Sequence, residues 1–300
     1  MSASSPILSR ILKKIDDLPT LPTVLQQVLE ITSQEDTGAA DIIGVIDADQ
    51  SLTANLLRVA NSPVFGVPNR IQSAKQAVVL LGFNEVRSIA LSATVFSMFE
   101  AAEGETVFNR EAFWRHSYLV AHLTRELFTK FPDADNKALY FTAGLLHDIG
   151  IVVMDQFFRP EFKDIVETIQ QENEMPLRAE GRFMGVNHAA IGAVLLRRWQ
   201  LPKLLVKVVE THHNPWDAPA AAAPLVRALY YGNLLAQLIG YPAYAQSEAP
   251  TVEGFLDSAD AQQLAEAGMP LDKQWLADTV TRYKEDEILL DLIMGAATPM

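Results

Sequence analysis

The sequence predicts an all-α protein built as an N-terminal helical bundle, a second helical bundle packed on it and a C-terminal helical flank. Three observations carry this. Apolar residues recur at helix spacing over nearly the whole chain, strand-like alternation is scarce, and Pro and Gly fall between the periodic stretches as breakers. The 300 residues, 49% apolar and 20% charged, suffice for a core and are unlike a disordered chain.

The N-terminal part, residues 1–102, contains three clear helices. Leu52, Leu56, Val59 and Ala60 share a face behind a capping Ser51. Ala74, Ala77, Val78 and Leu81 repeat the pattern, with Gly82 as the stop. Asn84 then caps a helix carrying Val86, Ile89, Ala90 and Ala93. Between the first two lies the turn NSPVFGVPNR, broken by Pro63, Gly66 and Pro68, and AAEGETVFN marks the boundary. The second block, residues 103–240, starts its helices at Arg110. Ala138 to Met154 is apolar nearly all round and predicts one continuous helix buried within the bundle. An amphipathic helix follows Pro160, Asn187 caps HAAIGAVLLRRW, and LPKLLVKVVETHH comes next. The loop WDAPAAAAP leads into PLVRALYYGNLLAQLIG, which closes the block. Residues 241–300 form the flank, whose Leu289, Leu290, Leu292 and Ile293 either cover the bundle or meet a partner.

Composition excludes several functions. With 24 basic against 37 acidic residues the net charge is −13, which leaves no general footprint for nucleic acid. The absence of cysteine removes disulfides, thiolate nucleophiles, Cys-based zinc sites and iron–sulfur clusters, so any metal must be held by His and carboxylates. The N-terminus lacks the apolar core of a signal peptide, and the longest uncharged run, Ala228 to Ser247, is interrupted by Gly232, Asn233, Gly240 and Pro242. The expectation is a cytoplasmic protein with no membrane partner.

The histidines carry the functional signal. His116 lies among Phe113, Trp114, Tyr118 and Leu119. His147-Asp148 sits in the apolar AGLLHDIG, where a carboxylate is costly unless paired or metal-bound. His212 extends the stripe Leu205, Val208, Val209, and His213 points elsewhere. His188 opens a helix behind Asn187, and by position alone reads as an exposed first-turn residue. Asn233 lies on the stripe Val226, Leu229, Tyr230, where it serves either as a weak ligand or in an interhelical hydrogen bond. His122, about 240° around its helix from His116, falls outside the set. Each residue singly is also explained as a hydrogen-bonded core group. Together they put imidazole and carboxylate donors on inward faces of several helices, the way bundles build metal centres. The donor types suit a divalent transition metal, Fe, Mn, Ni or Zn. Arg115 and Arg197 are the candidate cations for gripping a phosphate, by proximity in sequence only.

In their order these residues resemble the HD-domain superfamily of metal-dependent phosphohydrolases, and more specifically its HDOD branch. The motifs are LPTLPTVLQQVLEI at 18–31, IIGVIDADQSLTANLLRVANSPVFG at 42–66, AVVLLGFNEVRSIAL at 77–91, GLLHDIG at 144–150 and HAAIGAVLLRRWQLPKLLVKVVETHHNP at 188–215. The resemblance implies that the second block is an HD-like helical bundle. It implies metal-ligand roles for His116, for the pair His147 and Asp148, for His188 and for the double histidine His212 and His213. Asn233 falls where an HD hydrolase has its last aspartate. The related HD-GYP phosphodiesterases have a lysine where Ile151 stands and a glutamate ligand where Ala112 stands, Glu111 being out of phase. Their Gly-Tyr-Pro motif after the double histidine is here HHNPWDAP. The broken signature favours a bacterial signal-transduction module acting through protein contacts in trans, with a metal retained. The alternative is a working phosphohydrolase on a small phosphorylated ligand, with Asp148 as the catalytic residue orienting water at a mono- or dinuclear site. A plain helical scaffold without metal is the third reading.

Overall fold

The computed structural model describes residues 23–33, 37–61, 70–99, 108–128, 137–244, 251–269 and 272–285, with no strand among them. The turn residues Pro63, Gly66 and Pro68, most of the boundary AAEGETVFN, and Leu289, Leu290, Leu292 and Ile293 lie outside the described residues.

The N-terminal part comprises α1 (Thr23–Ser33), α2 (Ala39–Ala48), α3 (Gln50–Ala60), α4 (Ala74–Leu81) and α5 (Phe83–Met98). Val28, Ile42, Ile46, Leu56, Ala77, Val86 and Ile89 are fully buried where these helices meet. Two caps differ from expectation. Ser51 lies inside α3, and the Asp49 side chain accepts from Leu52 N–H at 2.8 Å in its place. Asn84 lies inside α5, because Gly82 (φ +87°) turns the chain sharply enough for the helix to start at Phe83. Ser73 caps α4 through Gln76 N–H. Asn61 ties the end of α3 to Ile71, accepting its N–H at 2.6 Å and donating to its carbonyl at 2.8 Å.

The second block comprises α6 (Arg110–Phe128), α7 (Lys137–Leu146), α8 (Ile149–Phe157), α9 (Arg159–Glu172), α10 (Pro176–Met184), α11 (His188–Arg198), α12 (Lys203–Thr211) and α13 (Ala223–Ile239). The long α6 packs along α7 and α13, while α11 packs against α8 and α12. The continuous helix expected over 138–154 is broken. α7 ends at Leu146, and α8 begins at Ile149, with His147 and Asp148 in the turn between. His147 Nδ1 donates to the Gly144 carbonyl at 2.7 Å, drawing the ring into the last turn of α7. Two glycines let the helices approach backbone to backbone here. A Cβ on Gly144 would stand 2.5 Å from Ala121 Cα on α6, and one on Gly150 would collide with the His188 carbonyl on α11.

The N-terminal part packs on α7 through α1 and α5. Buried Arg110 joins the two parts, donating to Asp155 at 2.5 Å and to the Phe99 carbonyl at 3.1 Å. The C-terminal flank, α14 (Val252–Leu256), α15 (Ala259–Glu266) and α16 (Lys273–Glu285), covers α13. Phe255 and Trp275 lie against Tyr231 with ring centroids 6.0 and 6.3 Å away. No single helix among the described residues is long and apolar enough to cross a membrane. The apolar stretch Leu139–Phe157, bent by 119° against Arg159–Glu172, is core.

Candidate metal centre

Four pieces of the second block converge on one point. His116 comes from the middle of α6, His147 and Asp148 from the α7–α8 turn, His188 from the first position of α11, and His212 and His213 from the turn that ends α12. His188 is not the exposed first-turn residue its position suggests. Asn187 caps α11 through Ala190 N–H at 2.9 Å, and the adjoining His188 is 2% exposed.

Asp148 stands between two sets of histidines. Its Oδ2 is 3.1 Å from His147 Nε2 and 3.5 Å from His116 Nε2. Its Oδ1 is 3.1 Å from His188 Nε2 and 3.2 Å from His212 Nε2. His213 Nε2 reaches His188 Nε2 at 2.8 Å. Ligand atoms of Asp148, His188, His212 and His213 lie within 4.8 Å of one another, as do those of His116, His147 and Asp148. The result is two lobes that share one carboxylate.

The outward ring nitrogens decide what the inward ones can do. His116, His147 and His212 each place Nδ1 2.7 Å from a backbone carbonyl, of Tyr241, Gly144 and Val209 respectively. A carbonyl only accepts, so each neutral ring carries its hydrogen on Nδ1 and turns a bare Nε2 lone pair inward. His116 Nε2 faces His147 Nε2 at 3.4 Å, and His188 Nε2 faces His212 Nε2 at the same distance. Asp148 Oδ1 is buried yet takes no hydrogen bond of proper geometry. The converging Nε2 lone pairs of His116, His147 and His212 around an orphaned carboxylate oxygen are unfavourable in a dry interior without a cation. The donor set therefore fits a divalent transition metal.

The electrostatics agree. Burial alone would raise Asp148, but the surrounding His147 and His188 hold its carboxyl well below the usual range. Burial pushes His147 down to about 4, against the pull of Asp148. Burial also opposes charge at His188, yet the carboxylates of Glu180 and Asp148 push it up to about 10. Burial and the neighbouring His212 hold His213 low. Positive charge is thus drawn to one place, beside Asp148.

Glu180 and Tyr244 are absent from the sequence reading. Glu180, fully buried on α10, accepts from His188 Nδ1 at 2.7 Å and from His188 backbone N–H at 2.9 Å. Tyr244 O–H donates to it at 2.8 Å. The available signal was a glutamate in register with Leu177 and Met184 on an amphipathic helix, the same criterion that singled out the histidines. The other named residues have these partners. Asn233 Oδ1 accepts from Gln237 Nε2 at 3.3 Å, within α13. His122 Nδ1 accepts from Arg125 at 3.1 Å. Arg115 and Arg197, the expected phosphate cations, pair with Glu111 and Glu210 at 2.7 and 2.6 Å.

Comparison with known proteins identifies the family of the chain. An HDOD domain protein of unknown function from Geobacter sulfurreducens superposes with a TM-score of 0.79 at 22% identity, over 95% of this chain and 96% of its own. A candidate phosphohydrolase from Shewanella amazonensis gives 0.73 at 22% identity, over 96% and 98%. A candidate signal-transduction protein from Marinobacter aquaeolei gives 0.79 at 20% identity, over 98% of this chain and 65% of its own. An uncharacterized Treponema pallidum protein is 27% identical over 277 residues, 92% of this chain, which spans about half (53%) of that relative's length. The family model for the HDOD domain matches residues 18–215, and the chain belongs to the HDOD family.

Proposed function

We propose that the chain is a bacterial, cytoplasmic signal-transduction module that acts through contacts with signalling proteins supplied in trans. In this reading the His/Asp centre holds one or two divalent transition metals, Fe, Mn, Ni or Zn, as a fixed structural element. The observation that carries the reading is burial. His116, His147, Asp148, His188 and His212 are each at most 2% exposed, so the inner donor atoms offer almost no surface to a phosphoester. A cleft of about 280 Å³ lies beside the centre, but it is lined by Phe108, Ala112, Tyr241 and Tyr244 among others and by none of the donors. On the N-terminal part, α4 leaves Val79 (76%) and Leu80 (53%) exposed, apolar surface that a protein partner would cover.

The second reading, a metal-dependent phosphohydrolase, is favoured by the sharing of Asp148 between two lobes. A metal pair held there would supply Lewis-acid activation of water and of a phosphoester. Asp148 would orient the water, and half-buried His213 would mark the side from which a small phosphorylated ligand enters.

The test combines elemental analysis of protein purified without a chelating tag with a turnover screen on nucleotides, cyclic dinucleotides and generic phosphoesters. One to two equivalents of metal without turnover is the expected result. Turnover by the native chain that vanishes in His147→Ala would overturn the signalling reading in favour of the second.

A further inference from the structure

The two lobes are not equivalent, and the difference lies in groups one step out from the donors. In the lobe of His116, His147 and Asp148 Oδ2, both ring Nδ1–H groups are held by neutral backbone carbonyls. In the lobe of His188, His212, His213 and Asp148 Oδ1, the His188 Nδ1–H is held by the carboxylate of Glu180, at 2.7 and 2.9 Å to its two oxygens. A carboxylate polarises an imidazole more than a carbonyl does, which makes the opposite nitrogen a stronger donor to a metal. The second lobe also offers four donors against three.

Glu180 is itself an expensive group to bury, and the fold surrounds it with donors. Besides the two contacts from His188, the fully buried Tyr244 hydroxyl fixes Oε1 at 2.8 Å. Burial and the adjacent Glu180 hold the phenol well above its ordinary range, so it remains a donor at any working pH. Tyr244 lies in the turn that follows Gly240, the cap of α13. The same turn supplies the Tyr241 carbonyl to His116. One short strap thus touches both lobes, by a neutral acceptor on one side and through a buried carboxylate on the other.

We propose that Glu180, locked by Tyr244, is a positioning residue that makes the two metal positions unequal. The lobe of His188, His212 and His213 takes the first divalent transition metal tightly, and the lobe of His116 and His147 takes a second more weakly. This rests on the reading that the centre holds metal. Tyr244 sets the orientation of Glu180, and Glu180 sets the ring orientation and basicity of His188.

The experiment is a Co²⁺ titration of the full, metal-free chain, followed by calorimetry and by the visible d–d absorption of bound cobalt. The native chain is expected to fill in two stages. Glu180→Gln should weaken the first stage by about 10–100-fold and alter its absorption band, while leaving the second stage in place. Glu180→Asp should restore part of the loss, and Tyr244→Phe, a smaller perturbation, should weaken the first stage by less than Glu180→Gln does. His116→Ala should abolish the second stage and spare the first. Equal weakening of both stages in Glu180→Gln, an unchanged first stage in both Glu180→Gln and Tyr244→Phe, or loss of the first stage in His116→Ala would overturn the assignment while leaving metal binding intact. A native chain that takes up no metal would overturn this inference together with the reading beneath it.

Discussion

The N-terminal bundle and the second bundle are both helical, but they bury different things. Among the described residues of α1 to α4, the buried side chains are apolar, and α5 adds only hydroxyls, two of which bond back to their own helix, Ser92 to Ser88 and Thr94 to Ala90. The second bundle buries Arg110, His116, His147, Asp148, Asp155, Glu180, His188 and His212. The first is held by removal of aliphatic surface from water and tolerates change within limits of volume. The second keeps groups whose desolvation is unfavourable until each finds a partner, and at its centre imidazole nitrogens crowd around one carboxylate. The contrast separates a part with an aliphatic core from a part that encloses the His/Asp cluster.

The sharpest way to break that contrast is at the contact between α8 and α11. Gly150→Ala places a methyl group against the His188 carbonyl and should cost about 3 kcal/mol or more, with loss of bound metal. Urea unfolding with elemental analysis measures both. A loss below about 1 kcal/mol with metal retained would show that the second bundle yields as readily as an aliphatic core.

The next effect is a pH dependence confined to the second bundle. In metal-free protein, His147 lies down at about 4, so between pH 6.5 and 4 the unfolded chain binds a proton that the folded chain refuses. Stability from this group falls as the pH falls. His188 lies up at about 10, so the folded chain keeps a proton that the unfolded chain releases above pH 6.5. Stability from this group is complete below pH 6.5 and is lost as the pH rises toward 10. Each slope is at most about 1.4 kcal/mol per pH unit, and together they put a maximum near pH 6.5. Metal on His188 Nε2 removes the alkaline loss, because that nitrogen no longer exchanges a proton. Unfolding from pH 5 to 9, with and without chelator, checks this, and identical alkaline limbs in the two series would refute it.

The smallest effect sharpens the contrast from the other side. Asn61→Ala removes the bonds that tie α3 to Ile71 and should cost about 1–2 kcal/mol. Metal content should stay at the native level, since nothing in that link reaches the centre. Parallel loss of metal in the titration would show that the two bundles are one energetic unit.

The all-α fold was legible because helix spacing of apolar residues is a local property. The histidines were legible for a related reason: His116, His147 and His212 interrupt apolar faces, and a polar residue there needs a partner. His188 was ambiguous at a helix start, since local sequence does not say that Gly150 of α8 will close over it. The break at His147-Asp148 was invisible to periodicity, because both halves are apolar all round and the interruption depends on where the His147 ring turns. The caps Ser51 and Asn84 were misplaced by two residues or fewer, the scale on which a neighbouring Asp49 or a left-handed Gly82 shifts a helix start. Glu180 and Tyr244 lie 64 residues apart and meet only through the packing of α10 on the turn after α13.

The glycine contacts around the centre have a kinetic consequence. Where α7 meets α6 at Gly144, and α8 meets α11 at Gly150, backbone touches backbone, with no flexible side chain between them to take up movement. Such a frame has little compliance, so its donor atoms cannot part to release an ion unless the helices themselves separate. An ion held there exchanges with solvent at the pace of that separation, and its residence time reports the opening rate of the surrounding helices.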